Sequence, residues 1–448
     1  MCIPWISYLR WKQKGDALLP LFAMIGFMYW LFYAVPLFWT DRIINDRLGP
    51  VRTEVPDPAI TAALTMALVG ICALWAGMKI RTGRSLKFQG LAAVDIKRSH
   101  MNYVRMVLVV CCILSLWESL PTQFGEGTRQ AITILISLIP MLAFIILFRN
   151  QLRGEATAVD KILIIFFLAV RLVTGLSSGW LGAFASIILI CAAAYIAERK
   201  RLPRLVSICA IVFILFFQVG KNEFREEYWR KGAQAPGRVE RVTFWTETSL
   251  WKWSEVLENP NSENIRLLLN PSVSRTSLLN QAGNVIDKTP SIVPYQNGQL
   301  YSYMAITLIP RAIWADKPSV NEANQFYQVA YGLTTEDDLS GTSIAVGVLA
   351  EGFINFGWPG AIAVMFFLGV LFNFFQRVFL SRTSGAFMVA MGIVLLPPIL
   401  AIESQMAAYL GGIIQQVVFS LLVFLPAIRF RASEIAVPAP ELSLVASA

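Results

Sequence analysis

A chain of 448 residues that is 56% hydrophobic and only 15% charged exceeds what a soluble fold of this size carries, so composition points to a polytopic membrane protein and against two or three soluble domains. The net charge of +9 belongs to membrane topology, since Lys and Arg collect in cytoplasmic loops, and it does not imply nucleic acid. Six cysteines without ligand spacing and a lone His100 argue against a disulfide framework, a metal site or a Ser-His-Asp triad.

Ten apolar runs are predicted to span the membrane as an all-α bundle. They lie at Ala17–Phe38, Ala59–Met78, Val104–Trp117, Ala131–Phe148, Ile162–Leu176, Leu181–Ala197, Val206–Val219, Pro359–Phe379, Ala386–Ile402 and Ala408–Ile428. The first follows Arg10, Lys12 and Lys14, is too long for a signal-peptide core and is expected to be retained. Basic clusters at Arg81/Arg84/Lys87/Lys97/Arg98, Arg149/Arg153, Arg199/Lys200/Arg201/Arg204, Arg377/Arg382 and Arg429/Arg431 fall on one side of such a bundle. Both termini are therefore expected in the cytoplasm and the long insertion outside. The expected organisation is a bundle over 1–219, an outer loop over 220–356, a second bundle segment over 357–430 and a cytoplasmic tail over 431–448.

The outer loop carries aromatic residues and helical patterns throughout. Residues Arg241–Leu257 read as a helix lying on the bilayer or packed on its own domain; Ser319 followed by Glu322 reads as a capping box opening a helix to about Tyr331. The densest polar stretch is Leu308–Gly360. Pro310 and Pro318 bracket Arg311 and Lys317 around Trp314-Ala315-Asp316, an arrangement that suits a diphosphate; an internal Arg311–Asp316 salt bridge is the structural alternative. The acidic run Glu336-Asp337-Asp338 reads as a solvated loop in preference to a cation site. Gly341, Thr342 and Ser343 are expected to open a helix whose first amides suit phosphate or carboxylate, or simply to cap it.

Glu351, in AVGVLAEGFINFG, is the acid singled out as a general base, since a carboxylate among apolar residues is either paired or kept protonated. Glu118 and Glu403 are weaker candidates for the same cavity. Arg171, in the fifth predicted span, costs roughly 2.5–3.5 kcal/mol at mid-membrane depth and is expected to face a partner or an anion rather than lipid. The Thr174-Gly175 and Ser177-Ser178-Gly179 segments are expected to turn just beyond it.

The chain resembles the oligosaccharide repeat-unit polymerases, the O-antigen polymerase or Wzy-type family. The resemblance rests on many spans with one long outer loop, on IPRAIWADKP at 309–318, on LAEGFINFGWPG at 349–360, and on RLVTGLSSGWLG, in which Arg171 and Gly182 are separated by ten residues. It implies a fold similar to the C-type membrane glycosyltransferases, no cofactor, and a polyprenyl-diphosphate-linked oligosaccharide as both donor and acceptor on the outer face of a bacterial inner membrane. A chain-length regulator and a flippase are the candidate protein partners, and membrane lipid is the surrounding one. In that chemistry Glu351 polarises the acceptor hydroxyl, Arg311 with Arg171 and Lys317 meets the leaving diphosphate, and Trp314 or Tyr327 offers a face to a sugar. A second arginine motif has no counterpart here. A ligase acting on the same donor, a transporter of lipid-linked sugars and a scaffold are the competing readings.

Overall fold

In a computed structural model, the structure describes residues 2–15, 17–39, 43–44, 53–80, 92–117, 126–230, 237–258, 277–309, 314, 317–318, 321–336, 339 and 344–430. The fold is all-α, about 79% helical. Helix α1 covers Cys2–Lys14, and α2, Leu21–Tyr29, passes through a π-helical turn at Trp30–Ala34 into α3, Pro36–Trp39. There follow α4 (Asp57–Lys79), α5 (Met101–Leu116), α6 (Glu126–Arg153), α7 (Ala158–Ser178), α8 (Gly182–Arg199) and α9 (Arg204–Gln218). The region between α9 and the last four helices supplies α10 (Lys221–Arg225), α11 (Arg238–Glu258), α12 (Leu278–Lys288), α13 (Gln299–Leu308) and α14 (Glu322–Ala330). The chain closes with α15 (Val348–Phe379), α16 (Ala386–Val394), α17 (Leu396–Leu400) and α18 (Met406–Phe424). Two short antiparallel pairs, Ile43–Ile44 with Thr53–Glu54 and Val94–Ile96 with Ile428–Phe430, only tie loops together.

Among the described residues, seven helical segments are long and apolar enough to cross a membrane, and an eighth if Arg204–Gln218 and Lys221–Trp229, bent by 55°, count as one. This is compatible with a multi-pass membrane protein. Two of the ten expected spans are not among them. Around Ile162–Leu176, α7 carries Asp160, Lys161 and Arg171; the Ala386–Ile402 run is split into α16 and α17 ahead of Pro397-Pro398.

The main core joins α2, α4, α5, α6 and α12 to the last four helices, and a smaller one gathers Phe217, Phe224 and Trp245 where α9, α10 and α11 meet. The closest pair is α4 with α15. A Cβ on Gly77 would lie 2.1 Å from the Phe366 carbonyl oxygen, and one on Gly369 would lie 2.2 Å from that of Leu74. Backbone meets backbone there, so neither position has room for a side chain.

Helix α15 is not straight. Phe356 (φ −143°, ψ 17°) and Gly357 (φ 64°, ψ −150°) leave helical geometry, and Pro359 follows without an N–H to offer. A Cβ on Gly360 would sit 2.3 Å from the Gly352 carbonyl oxygen, whereas residues eight apart in an unbroken helix are separated by about 12 Å. A short arm, 348–355, is therefore folded close against the start of a long arm, 358–379.

The helix expected over Arg241–Leu257 is α11, and it packs on its own domain. Trp245 is fully buried and donates from Nε1 to the Phe217 carbonyl at 2.9 Å, while Leu250, Trp251 and Leu257 are exposed. The helix after Ser319 is α14; its N-cap is Asn321, and Ser319 itself lies outside the described residues.

Candidate functional site

The short arm of α15 carries Glu351. The helix expected to open at Ser343 instead starts at Val348, because Gly347 takes φ +83°, a left-handed conformation that cannot continue a right-handed helix. A Cβ there would also meet the Ile402 carbonyl oxygen at 2.9 Å. Glu351 thus falls in the first turn, where the helix dipole favours an acid.

Its side chain is 1% exposed. Oε2 accepts from the Met406 backbone N–H at 2.6 Å, so the carboxylate caps the start of α18, whose first amides have no intrahelical partner. Oε1 is buried without a hydrogen bond. Among the described residues no Lys or Arg forms an ion pair with Glu351. One oxygen is thereby anchored and the other is left without a bonding partner.

Two residues that no sequence pattern singled out complete this environment. Asn355, fully buried one turn after Glu351, donates from Nδ2 to the Glu351 carbonyl at 2.9 Å and accepts at Oδ1 from the Gly298 N–H at 3.0 Å. Gln296 and Asn297 donate to the carbonyls of Ile354 and Asn355, each at 3.0 Å, so the turn that opens α13 is stitched to the end of the short arm. That turn places Tyr301, in the first turn of α13, beside the site, with its buried hydroxyl next to the Asn355 side chain. Burial, and then the Glu351 carboxylate, hold the Tyr301 phenol well above its ordinary range. Glu403, on the loop that precedes α18, also has a buried oxygen without a partner, and burial raises its carboxyl.

The other expected residues are placed differently. Arg171 donates to the Ser137 carbonyl and, at 3.5 Å, to that of Ile136, with its guanidinium over the Phe167 ring at 5.5 Å. Pro140, inside α6, has no N–H for the Ile136 carbonyl four residues back, and the guanidinium makes up for it. Arg171 thus sits on the α6–α7 interface, and no described contact links it to Glu351. The expected turn at Thr174-Gly175 is helix, with Thr174 Oγ1 donating to the Val170 carbonyl at 2.9 Å; the chain turns at Gly179, φ +69°.

Lys317 is buried and donates from Nζ to the Ile309 carbonyl at 2.7 Å and to that of Ile306 at 3.4 Å, holding the C-terminal end of α13. Trp314 is exposed. Tyr327 is fully buried, with its hydroxyl donating to Gln281 Oε1, so it presents no open face for stacking. Arg311, Asp316, Asp337, Asp338, Gly341, Thr342, Ser343 and Glu118 lie outside the described residues, and Glu336 is exposed. Among the described residues no group of three or more His, Cys, Asp and Glu is placed to hold a metal ion.

The family model described as a domain of unknown function (DUF8712) matches residues 57–394, more than half of the chain. The chain belongs to that family. The matched region contains Glu351, Asn355 and Tyr301 and ends before Glu403 and Met406. No curated protein and no solved structure matches the chain.

Proposed function

We propose that this protein polymerises polyprenyl-diphosphate-linked oligosaccharide repeat units on the outer face of a bacterial inner membrane. In this reading ten spans, α7 and the α16–α17 pair included, form a C-type glycosyltransferase-like bundle with both termini in the cytoplasm. The observation that carries the reading is Glu351: a carboxylate fixed through one oxygen at the start of α18, with its other oxygen buried and unbonded.

In the transfer, the acceptor sugar hydroxyl gives its proton to Glu351 Oε1 as its oxygen bonds to the anomeric carbon of the donor. The bond from that carbon to the diphosphate breaks, and the electron pair leaves with the lipid diphosphate. Arg311 is assigned to the developing charge. Lys317 supports that region by holding the end of α13, and Arg171 stabilises the bundle from the α6–α7 interface.

Purified protein given lipid-linked repeat units is expected to produce a ladder of longer glycans and free lipid diphosphate. Arg311→Ala is expected to abolish the ladder in folded protein. Movement of the lipid between leaflets without elongation would replace this reading with a transporter, and attachment of the glycan to a different acceptor would replace it with a ligase.

A further inference from the structure

Helix α11 lies across one end of the bundle. Arg238 Nη2 donates to the Leu116 carbonyl at 2.7 Å, at the end of α5. Trp245 and Trp253 donate from Nε1 to the carbonyls of Phe217 and Phe216, at 2.9 Å and 3.3 Å, at the end of α9. The helix also packs on α7, whose last carbonyl, that of Ser178, accepts from Trp229 Nε1 at 3.2 Å. Carbonyls in the last turn of a helix have no partner within it, so these donors complete three helix ends at one level. Helix α5 is apolar and long enough to cross a membrane, and so is α9 together with the bent segment after it. The level at which such helices end is the level of a bilayer surface. Trp117, Trp180 and Trp229, next to those ends, are each more than half exposed, as tryptophans are in the belt of a membrane interface.

Around its axis α11 has three sides. Trp245, Ser249 and Val256 are buried against the rest of the protein. Val239, Leu250 and Leu257 are 79%, 55% and 73% exposed, and their spacings of eleven and seven residues put them on one side. The same stripe runs through Thr243, Thr246 and Trp253, so it holds no ionisable side chain; the Thr246 hydroxyl donates to the Val242 carbonyl at 2.8 Å. One residue further round, Glu240, Glu247 and Glu258 form an exposed acidic side, with Trp251 among them.

We propose that α11 is seated in the surface of the bilayer, with the Val239, Leu250 and Leu257 side dipped into lipid at the level where α5 and α9 end, and the glutamate side turned to water. The occupant follows from place and charge. A single exposed leucine is ordinary, whereas a stripe of three apolar side chains beside helix ends and exposed tryptophans is one that lipid covers. Helix α11 carries Arg238, Arg241 and Lys252 against Glu240, Glu247, Glu255 and Glu258. Unlike cationic surface helices it therefore gains no net attraction from anionic headgroups, and burial of the apolar stripe holds it. The proposal stands apart from the transfer reading and from Glu351. It adds a lipid side to a helix whose buried side packs on its own domain.

The test is photocrosslinking of the full-length protein in phosphatidylcholine liposomes, with p-benzoylphenylalanine placed singly at Leu250, Leu257, Glu247 or Glu258. The same probe at Leu68, an exposed position in the middle of α4, is the standard. Intact mass reads the adduct. One phospholipid is expected on the probes at 250 and 257, in yields comparable with that at 68. These yields should exceed those at 247 and 258 by about tenfold or more, the ratio to which burial of one leucine side chain corresponds. They should be the same at low and high salt, since burial is not screened as charge is. Equal yields at all four positions of α11 would mean that exposure alone decides, and would overturn the proposal. So would the lack of a lipid adduct at 250 and 257. A crosslink there to a second copy of the chain would replace lipid with self-association, and an adduct lost at high salt would replace burial with charge. A lack of adduct at position 68 as well would remove the bilayer from around the bundle, and the proposal with it.

Discussion

Glu351 has a structural task and a proposed chemical one, and two substitutions separate them. Glu351→Gln keeps an amide oxygen to accept from the Met406 N–H and places an NH₂ where the unbonded Oε1 stood. Only charge assistance is lost from one hydrogen bond, a cost of about 1 kcal/mol. Glu351→Ala instead strands a buried N–H, about 1–3 kcal/mol, and opens a cavity worth about 2–3 kcal/mol more, for a total of about 3–6 kcal/mol. Denaturation in detergent should therefore show the Gln variant near wild type and the Ala variant far below it. Elongation should behave otherwise: an amide takes no proton, so the Gln variant is expected to lose about 10²–10⁴-fold in rate, the usual worth of a general base. A Gln variant that folds normally and elongates within a few-fold of wild type would reduce Glu351 to a helix cap and refute its catalytic role.

Arg171→Met should cost about 2–3 kcal/mol by stranding the Ser137 and Ile136 carbonyls. Pro140→Ala in that background supplies the missing N–H to Ile136 and should recover part of the loss, seen as a coupling energy above about 0.5 kcal/mol in a double-mutant cycle; strict additivity would break the link. Gly369→Ala forces a Cβ to within 2.2 Å of the Leu74 carbonyl oxygen, and should lower unfolding stability by about 1–3 kcal/mol; a wild-type midpoint would refute the tight backbone contact between α4 and α15. Glu403 has a carboxyl raised by burial, so the folded state holds its proton more tightly than the unfolded chain. Its contribution to stability is full at low pH and declines as pH rises from the ordinary glutamate range through the raised value. Glu403→Gln should make the fall in Tm across that window shallower, and an unchanged slope would exclude Glu403 as the source.

The helical class was legible because apolar runs of span length leave few alternatives, and Glu351 was legible because an acid among Leu, Ala, Phe and Ile needs an explanation. Its anchor was not legible: the bond to Met406 joins positions 55 residues apart in sequence and depends on how α18 docks. Asn355 and Tyr301 were hidden for the same reason, since their roles arise only when the 296–298 turn lands on the short arm. Arg171 was legible only as an arginine in need of a partner. Its place in a short arginine-glycine stretch suggested anion binding, while the informative residue was Pro140, in another helix, whose missing N–H gives the guanidinium a structural partner. The start of α15 was misplaced because Ser and Thr at 342–343 resemble a cap, and Gly347, with its left-handed φ, decides the boundary.

The break at Phe356–Gly357 also bears on how such a chain is made. If the long arm alone is handed to the bilayer during synthesis, its 22 residues, 358–379, form an uninterrupted segment without an acidic side chain. The short arm need not cross lipid at all. It can swing in about Gly357 once α18 has arrived, bringing its carboxylate directly to the Met406 amide that receives it. Biogenesis would then set the order of events: the scaffold inserts first, and the acid is delivered last into a place already lined by protein.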